Sequence, residues 1–314
     1  MIGYLLRRLA QALPVTLAVA TLVFALIHLI PGDPVEMMLG ESAQAADVEA
    51  LRHQLGLDRP LLAQYGSFVA GLVRGDLGRS LHFGEPVTAL LARHVPATAK
   101  LALTALAAAL LIALPLGLAA AYYRGGWIDR LARTFSLAGV SIPNFWLGPM
   151  AMLLFAIRLD LLPVSGNAGW RSLVLPAATL GLALSALLTR MVRQAVGAEL
   201  GRPYLVTARA KGISRWRVAW LHALKNAMIP VVTVVGLQFG ALLTGAILTE
   251  TIFSWPGLGR LLIQAIRLRD YPLVQGCVLL ISVTYVAVNL ATDLLYAWLD
   301  PRIRLQDAKA EAGR

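Results

Sequence analysis

The sequence is poor in charge and nearly devoid of cysteine. Of 314 residues, 14% are charged and 58% hydrophobic. A soluble domain averages about 25% charged residues, so an ordinary globular protein is excluded. The single cysteine, Cys277, lies in an apolar run, which excludes an intrachain disulfide and leaves it a small buried hydrophobe. No Gly-Lys pair occurs anywhere, so the chain cannot build a G-x-x-x-x-G-K-[ST] phosphate loop itself. H-E-x-x-H, C-x-x-C and a hydrolase nucleophile motif are also missing, and the histidines (His28, His53, His82, His94, His222) are dispersed. No metal site, no cofactor bound by this chain and no enzymatic activity are expected. The formal net charge of +11 raises nucleic acid as a partner. The basic residues sit between apolar runs rather than on a soluble face, so no nucleic-acid partner is expected.

What the chain does have is long stretches free of Asp, Glu, Lys and Arg. Leu9–Ile30, Leu101–Tyr123, Thr134–Ile157, Ser172–Thr189, Asn226–Thr249 and Tyr271–Thr292 run 22, 23, 24, 18, 24 and 22 residues. About 20 apolar residues cross a bilayer as a helix, and in lipid the backbone must satisfy its own hydrogen bonds. The expected fold class is therefore an all-α membrane protein with six transmembrane helices. Ser172–Thr189, with Pro176 and Gly181, is the weakest span and is expected to extend beyond Thr189. Arg7 and Arg8 before the first run resemble a signal peptide. That run is longer than the 7–15 residues of such a segment and ends in IPGDP instead of small residues, so an uncleaved helix is expected.

Orientation follows from Lys and Arg. Residues 1–8, 124–133, 190–225 and 300–314 hold 17 basic and 5 acidic residues; the 31–100, 158–171 and 250–270 loops hold 11 of each. Both termini are expected in the cytoplasm. The chain then divides into a first helix (1–30), an extracytoplasmic region with short helices (31–100), a five-helix core (101–299) and a cytoplasmic tail (300–314). Within 31–100, Ala46–Leu55 and Leu61–Val73 have helical spacing around the turn signal GLDRP. A further short helix, Leu258–Arg269, follows the WPG turn in the 250–276 loop.

The spans are almost free of charge. Only Asp293 is a candidate for ion coupling, and its nearness to Asp300-Pro301 makes it a local partner for Arg302 or Arg304. Power for transport is thus expected from outside the chain. One cytoplasmic segment stands out: PYLVTARAKGISRWRVAWLHALKN, Pro203 to Asn226, is basic and contains no acid. Ile213, Trp216, Trp220 and Leu224 fall on one helical stripe, with Arg209, Lys211, Arg215 and Arg217 off it. Gly212 interrupts the pattern, predicting a short helix, a bend and a second helix. Such a segment is either an amphipathic anchor on anionic lipid or a docking surface for a partner, and composition does not separate the two.

At this segment the chain resembles the permease subunits of bacterial ATP-binding-cassette importers, in particular the dipeptide/oligopeptide/nickel branch. The family's E-A-A-x-x-x-G motif falls on Val206, Thr207, Ala208 and Gly212; the first two positions depart from Glu-Ala. The likeness extends along nearly the whole chain, through PGDP (31–34), LGLDRP (55–60), GDLGRS (75–80), SIPNFWLG (141–148), HALKNAMIP (222–230), FSWPGLGRL (253–261), RDYPLVQG (269–276) and DPRIR (300–304). It implies a type I importer permease fold in the inner membrane, with a coupling loop over 196–226. Thr207, Ala208, Arg209, Lys211, Gly212, Ile213, Trp216, Trp220 and Leu224 would there enter a cleft on an ATPase. Also implied are a second homologous permease, two cytoplasmic ATPases that use ATP and Mg, and an extracytoplasmic solute-binding protein. Substrate would pass between the two permeases by alternating access. Asn144, Gln238 and Thr244 are the candidate polar positions along that path. The branch carries peptides, glutathione-like peptides, nickel chelates and some sugars. Rival readings are an ion-coupled secondary carrier and a non-transporting membrane scaffold.

Overall fold

The structure is a computed structural model, described over residues 2–29, 34–39, 44–167 and 169–299. It is mostly helical; among the described residues the sole β contact is an isolated bridge between Arg79 and Pro86. The helices are α1 (Ile2–Leu29), α2 (Pro34–Leu39), α3 (Ala45–Leu55), α4 (Leu61–Arg74), α5 (Val87–Tyr122), α6 (Trp127–Ser141), α7 (Asn144–Ala151), α8 (Arg171–Leu200), α9 (Pro203–Ala210), α10 (Arg215–Arg217), α11 (Leu224–Ile252), α12 (Leu258–Arg267) and α13 (Tyr271–Leu299). Two π-helical stretches, Met152–Arg158 and Val218–Ala223, continue α7 and α10.

Four helical stretches are long and apolar enough to cross a membrane: Val87–Tyr122, Arg171–Leu200, Arg215–Leu243 and Tyr271–Leu295. The predicted third span departs from a simple rod. Instead of one helix over Thr134–Ile157, α6 and α7 with its π-helical continuation meet at a bend of 101° and count together as a fifth span. The cause is Pro143. A residue before proline is pushed out of the helical region, and Ile142 accordingly takes φ −84° and ψ 119°. The weak fourth span does run on past Thr189, to Leu200. Pro176 lies inside this helix.

The chain forms two compact units. The first takes residues 1–98 and 256–286, the second 99–255 and 287–314. In the first, Ala20 and Val23 of α1 pack with Leu279 of α13, flanked by Phe68 and Leu72 of α4. Buried Asp270 ties this unit together at the start of α13. Its carboxylate accepts the Leu273 N–H (3.2 Å), the His82 N–H (3.2 Å) and the Ser80 hydroxyl. The motifs that carry Ser80 and Asp270, 190 residues apart, thus form one helix cap. Phe24, His28, His53, Gln64 and Gln275 line a cavity of about 440 Å³ in this unit. Two of the histidines that look dispersed in sequence therefore share one wall.

In the second unit α8 is the central helix, buried along most of its length. Small residues let its neighbours approach. A Cβ on Gly181 would meet the Ala105 carbonyl at 2.8 Å, one on Gly117 would meet Val192 at 2.7 Å, and one on Gly139 would meet Ala186 at 2.4 Å. Close backbone approach at small residues is how helices associate in lipid, where apolar burial gives no net drive.

Candidate functional site

The 203–226 segment folds as predicted in outline: a short helix, a bend, a second helix. Pro203 occupies the first turn of α9, where its missing N–H costs nothing. The helix ends in a Schellman motif. Gly212 has φ +81°, its N–H bonds to the Arg209 carbonyl (3.0 Å), and the Ile213 N–H reaches back to the Ala208 carbonyl (3.3 Å). Ala208 and Ile213 pack on the same cluster. The alanine, the glycine four residues later and the apolar residue after it are thus one capping device. After the bend, Ser214 caps α10 by accepting the Arg217 N–H at 3.4 Å.

The predicted stripe divides. Ile213 and Leu224 face inward, in a cluster with Leu205, Val218, Ala219 and Ala223 that also takes in Leu118, Val192 and Val231. Trp216 and Trp220 do not; they are 46% and 48% exposed. Ile213 precedes the Ser214 cap and lies outside the helix that carries Trp216, and the π-helical stretch Val218–Ala223 separates Trp216 from Leu224. Its i→i+5 bonding widens the turn, so an α-helical stripe does not hold its register across it. Trp216 rests edge-on against Tyr122, with ring centroids 5.3 Å apart. The outward surface therefore carries Tyr204, Val206, Thr207, Trp216, Trp220 and Leu221 among the exposed side chains of Arg209, Lys211, Arg215, Arg217 and Lys225. None of those five cations has an acidic partner among the described residues.

Two polar networks hold this surface in place, and neither was singled out from the sequence. The Tyr204 hydroxyl donates to Glu199 (2.9 Å) and accepts from the Asn226 amide (2.7 Å), linking the ends of α8, α9 and α11. Burial, and next the bond to Glu199, raise the pKa of this phenol above its ordinary value; the Asn226 bond opposes them. Asp129 at the start of α6 is 2% exposed and pairs with the Arg193 guanidinium of α8 through both carboxylate oxygens. It also accepts the Gly125 N–H at 3.0 Å. Acids are scarce on the basic side of the chain, and that scarcity was the available signal: Asp129 and Glu199 are two of five there.

The three predicted path residues are partly brought together. Asn144 opens α7 directly after the break, and Gln238 lies on α11; both line a cavity of about 420 Å³ with residues of α6 and α8. Thr244 lies farther along α11, and its side chain is outside the described residues. Among the described residues the buried Asn144 Oδ1 has no hydrogen-bond partner. Asp293 is half-buried on α13, while its predicted partners Arg302 and Arg304 lie outside the described residues. Among the described residues no three His, Cys, Asp or Glu side chains gather as a metal site.

Residues 113–305 match the family described as binding-protein-dependent transport system inner membrane component, and residues 1–102 match its N-terminal region. The chain is 43% identical over 304 residues to the glutathione transport system permease protein GsiC of Salmonella typhimurium, covering 97% of this chain and 99% of that one. GsiC of Escherichia coli K12 is 41% identical over the same length. The chain belongs to this family. It is a permease subunit of an ATP-binding-cassette importer, embedded in the bacterial inner membrane, and not an enzyme. An inward-facing MetNI methionine ABC transporter structure aligns with TM-score 0.54 at 20% identity, over 67% of this chain and 96% of that one. That likeness concerns the fold. On this permease the Gly212 bend and the basic, Trp-bearing surface fall within the stretch matched by the main family.

Proposed function

We propose that this permease imports a small peptide of the glutathione type, powered at the 196–226 segment by partner ATPases. The observation that carries the reading is the outward surface after Gly212: two exposed tryptophans amid unpaired cations, held by a buried apolar underside. Short amphipathic helices of this kind dock in grooves. Five cations without an acidic partner among the described residues call for acids on the partner, and a rigid Schellman turn transmits a push to α8 and α11 rather than absorbing it. Thr207, Arg209, Lys211, Trp216 and Trp220 make the contact, while Ala208, Gly212, Ile213 and Leu224 set its shape.

The complex comprises this chain, a second homologous permease, two cytoplasmic ATPases that bind ATP and Mg, and an extracytoplasmic binding protein. Both termini face the cytoplasm, and six helices span the bilayer. The cargo is assigned from the relatives' glutathione import, and the cavity at Asn144 and Gln238 is its path through this chain. The decisive experiment expresses the operon with Gly212→Arg. Membrane insertion should persist, with loss of transport and of ATPase co-purification. Normal uptake with normal ATPase recovery in that variant would remove the segment's coupling role.

A further inference from the structure

The cavity at the α6–α7 break has an uncommon chemical make-up. Among the described residues its lining contains no Asp, Glu, Lys, Arg or His. Its polar side chains are two carboxamides, Asn144 and Gln238, set among Leu180, Leu184 and Leu242. At about 420 Å³ it is of a size to hold part of a small ligand. Its two carboxamides offer both acceptors and donors, and among the described residues the buried Asn144 Oδ1 has no partner. A buried acceptor left without a donor is costly, so the site is poised for N–H groups arriving from outside.

We propose that this cavity recognises the peptide groups of the cargo and not its charged ends, with Asn144 Oδ1 accepting a peptide N–H. A carboxamide carries one acceptor and two donors, complementary to the N–H and C=O of a peptide bond. An ammonium or carboxylate placed among these side chains would find no counter-ion, and burying an unpaired charge is prohibitive. The termini of a transiting peptide therefore point away from the leucine wall while a backbone amide sits against it. Discrimination at this step follows from amide content and not from terminal charge. The inference rests on the reading of the protein as a peptide importer, and the test separates the two.

The complete transporter, with its binding protein, is reconstituted in proteoliposomes. ATP-dependent uptake is compared for glutathione and for its ester analogue, in which the Gly N–H is replaced by oxygen. Competition on the binding protein alone corrects for loading. In the wild-type complex the amide should be favoured by roughly five- to tenfold at equal loading, the worth of one desolvated hydrogen bond. Asn144→Leu should bring the ratio of glutathione to ester uptake to about one, and Asn144→Gln should restore part of the preference. Equal wild-type rates for the two compounds would overturn the inference while leaving peptide import standing. Uptake of neither would count against peptide import itself. If Asn144→Leu instead lowers recovery of the second permease, the cavity wall is a subunit contact and the inference fails.

Discussion

Position 212 shows how one backbone angle constrains function. A Cβ there meets nothing within 4 Å, so space does not require glycine; φ of +81° does. Left-handed geometry costs an ordinary L-residue about 1–2 kcal/mol, and asparagine less. Coupled transport should therefore fall in the order Gly212, Gly212→Asn, Gly212→Ala, Gly212→Val, as ATP-dependent uptake would report. The Asp129–Arg193 pair makes a second residue-scale case. With Asp129 at 2% exposure, Asp129→Ala leaves a guanidinium facing an emptied site. Loss of one partner of a buried pair costs about 3–5 kcal/mol, so the detergent melting temperature should drop clearly. The double variant Asp129→Ala, Arg193→Met should recover part of that loss, and no recovery would show that the two act independently.

Among the elements, the 215–224 stretch illustrates the limit of periodicity. An α-helical stripe through Ile213, Trp216, Trp220 and Leu224 was legible in sequence, and two of its four members do pack inward. The π-helical stretch that turns the tryptophans outward left no legible sign, because its extra residue per turn is accommodated by packing Val218, Ala219 and Ala223 against α5 and α8. Opposite outcomes follow for the two faces. Trp216→Ala with Trp220→Ala should leave the melting temperature nearly unchanged and lower ATPase recovery on affinity purification. Ala223→Leu, at a site with no accessible surface, should destabilise the subunit by about 1–3 kcal/mol through overpacking. Likewise the uncharged run over 134–157 predicted one span, whereas the 101° break between α6 and α7, and the cavity beneath it, involve how α8 and α11 meet the two arms.

For the whole molecule, the uneven distribution of Lys and Arg is the feature with most consequence. Seventeen basic residues against eleven carry the proposal that both termini lie in the cytoplasm. A reporter joined after Arg304 should read out cytoplasm, and an active periplasmic reporter at that point would reverse the topology. Those cations also raise affinity for any acidic partner surface, so ATPase association should weaken with rising salt as surface pairs are screened.

The sequence alone determined the solvent, and it set the expectations for sidedness and for power from outside the chain. These follow from composition, since apolar runs, one-sided charge and a missing phosphate loop need no coordinates to interpret. It also located the turn at Gly212, because glycine acts on its own backbone. Tertiary structure decided which side chains of the 203–226 segment face outward. It also joined Ser80 to Asp270 and Asp129 to Arg193, and it placed Asn144 and Gln238 on one wall. Those pairings lie 64 to 190 residues apart in the chain. They are set by helix–helix packing, which local pattern does not encode.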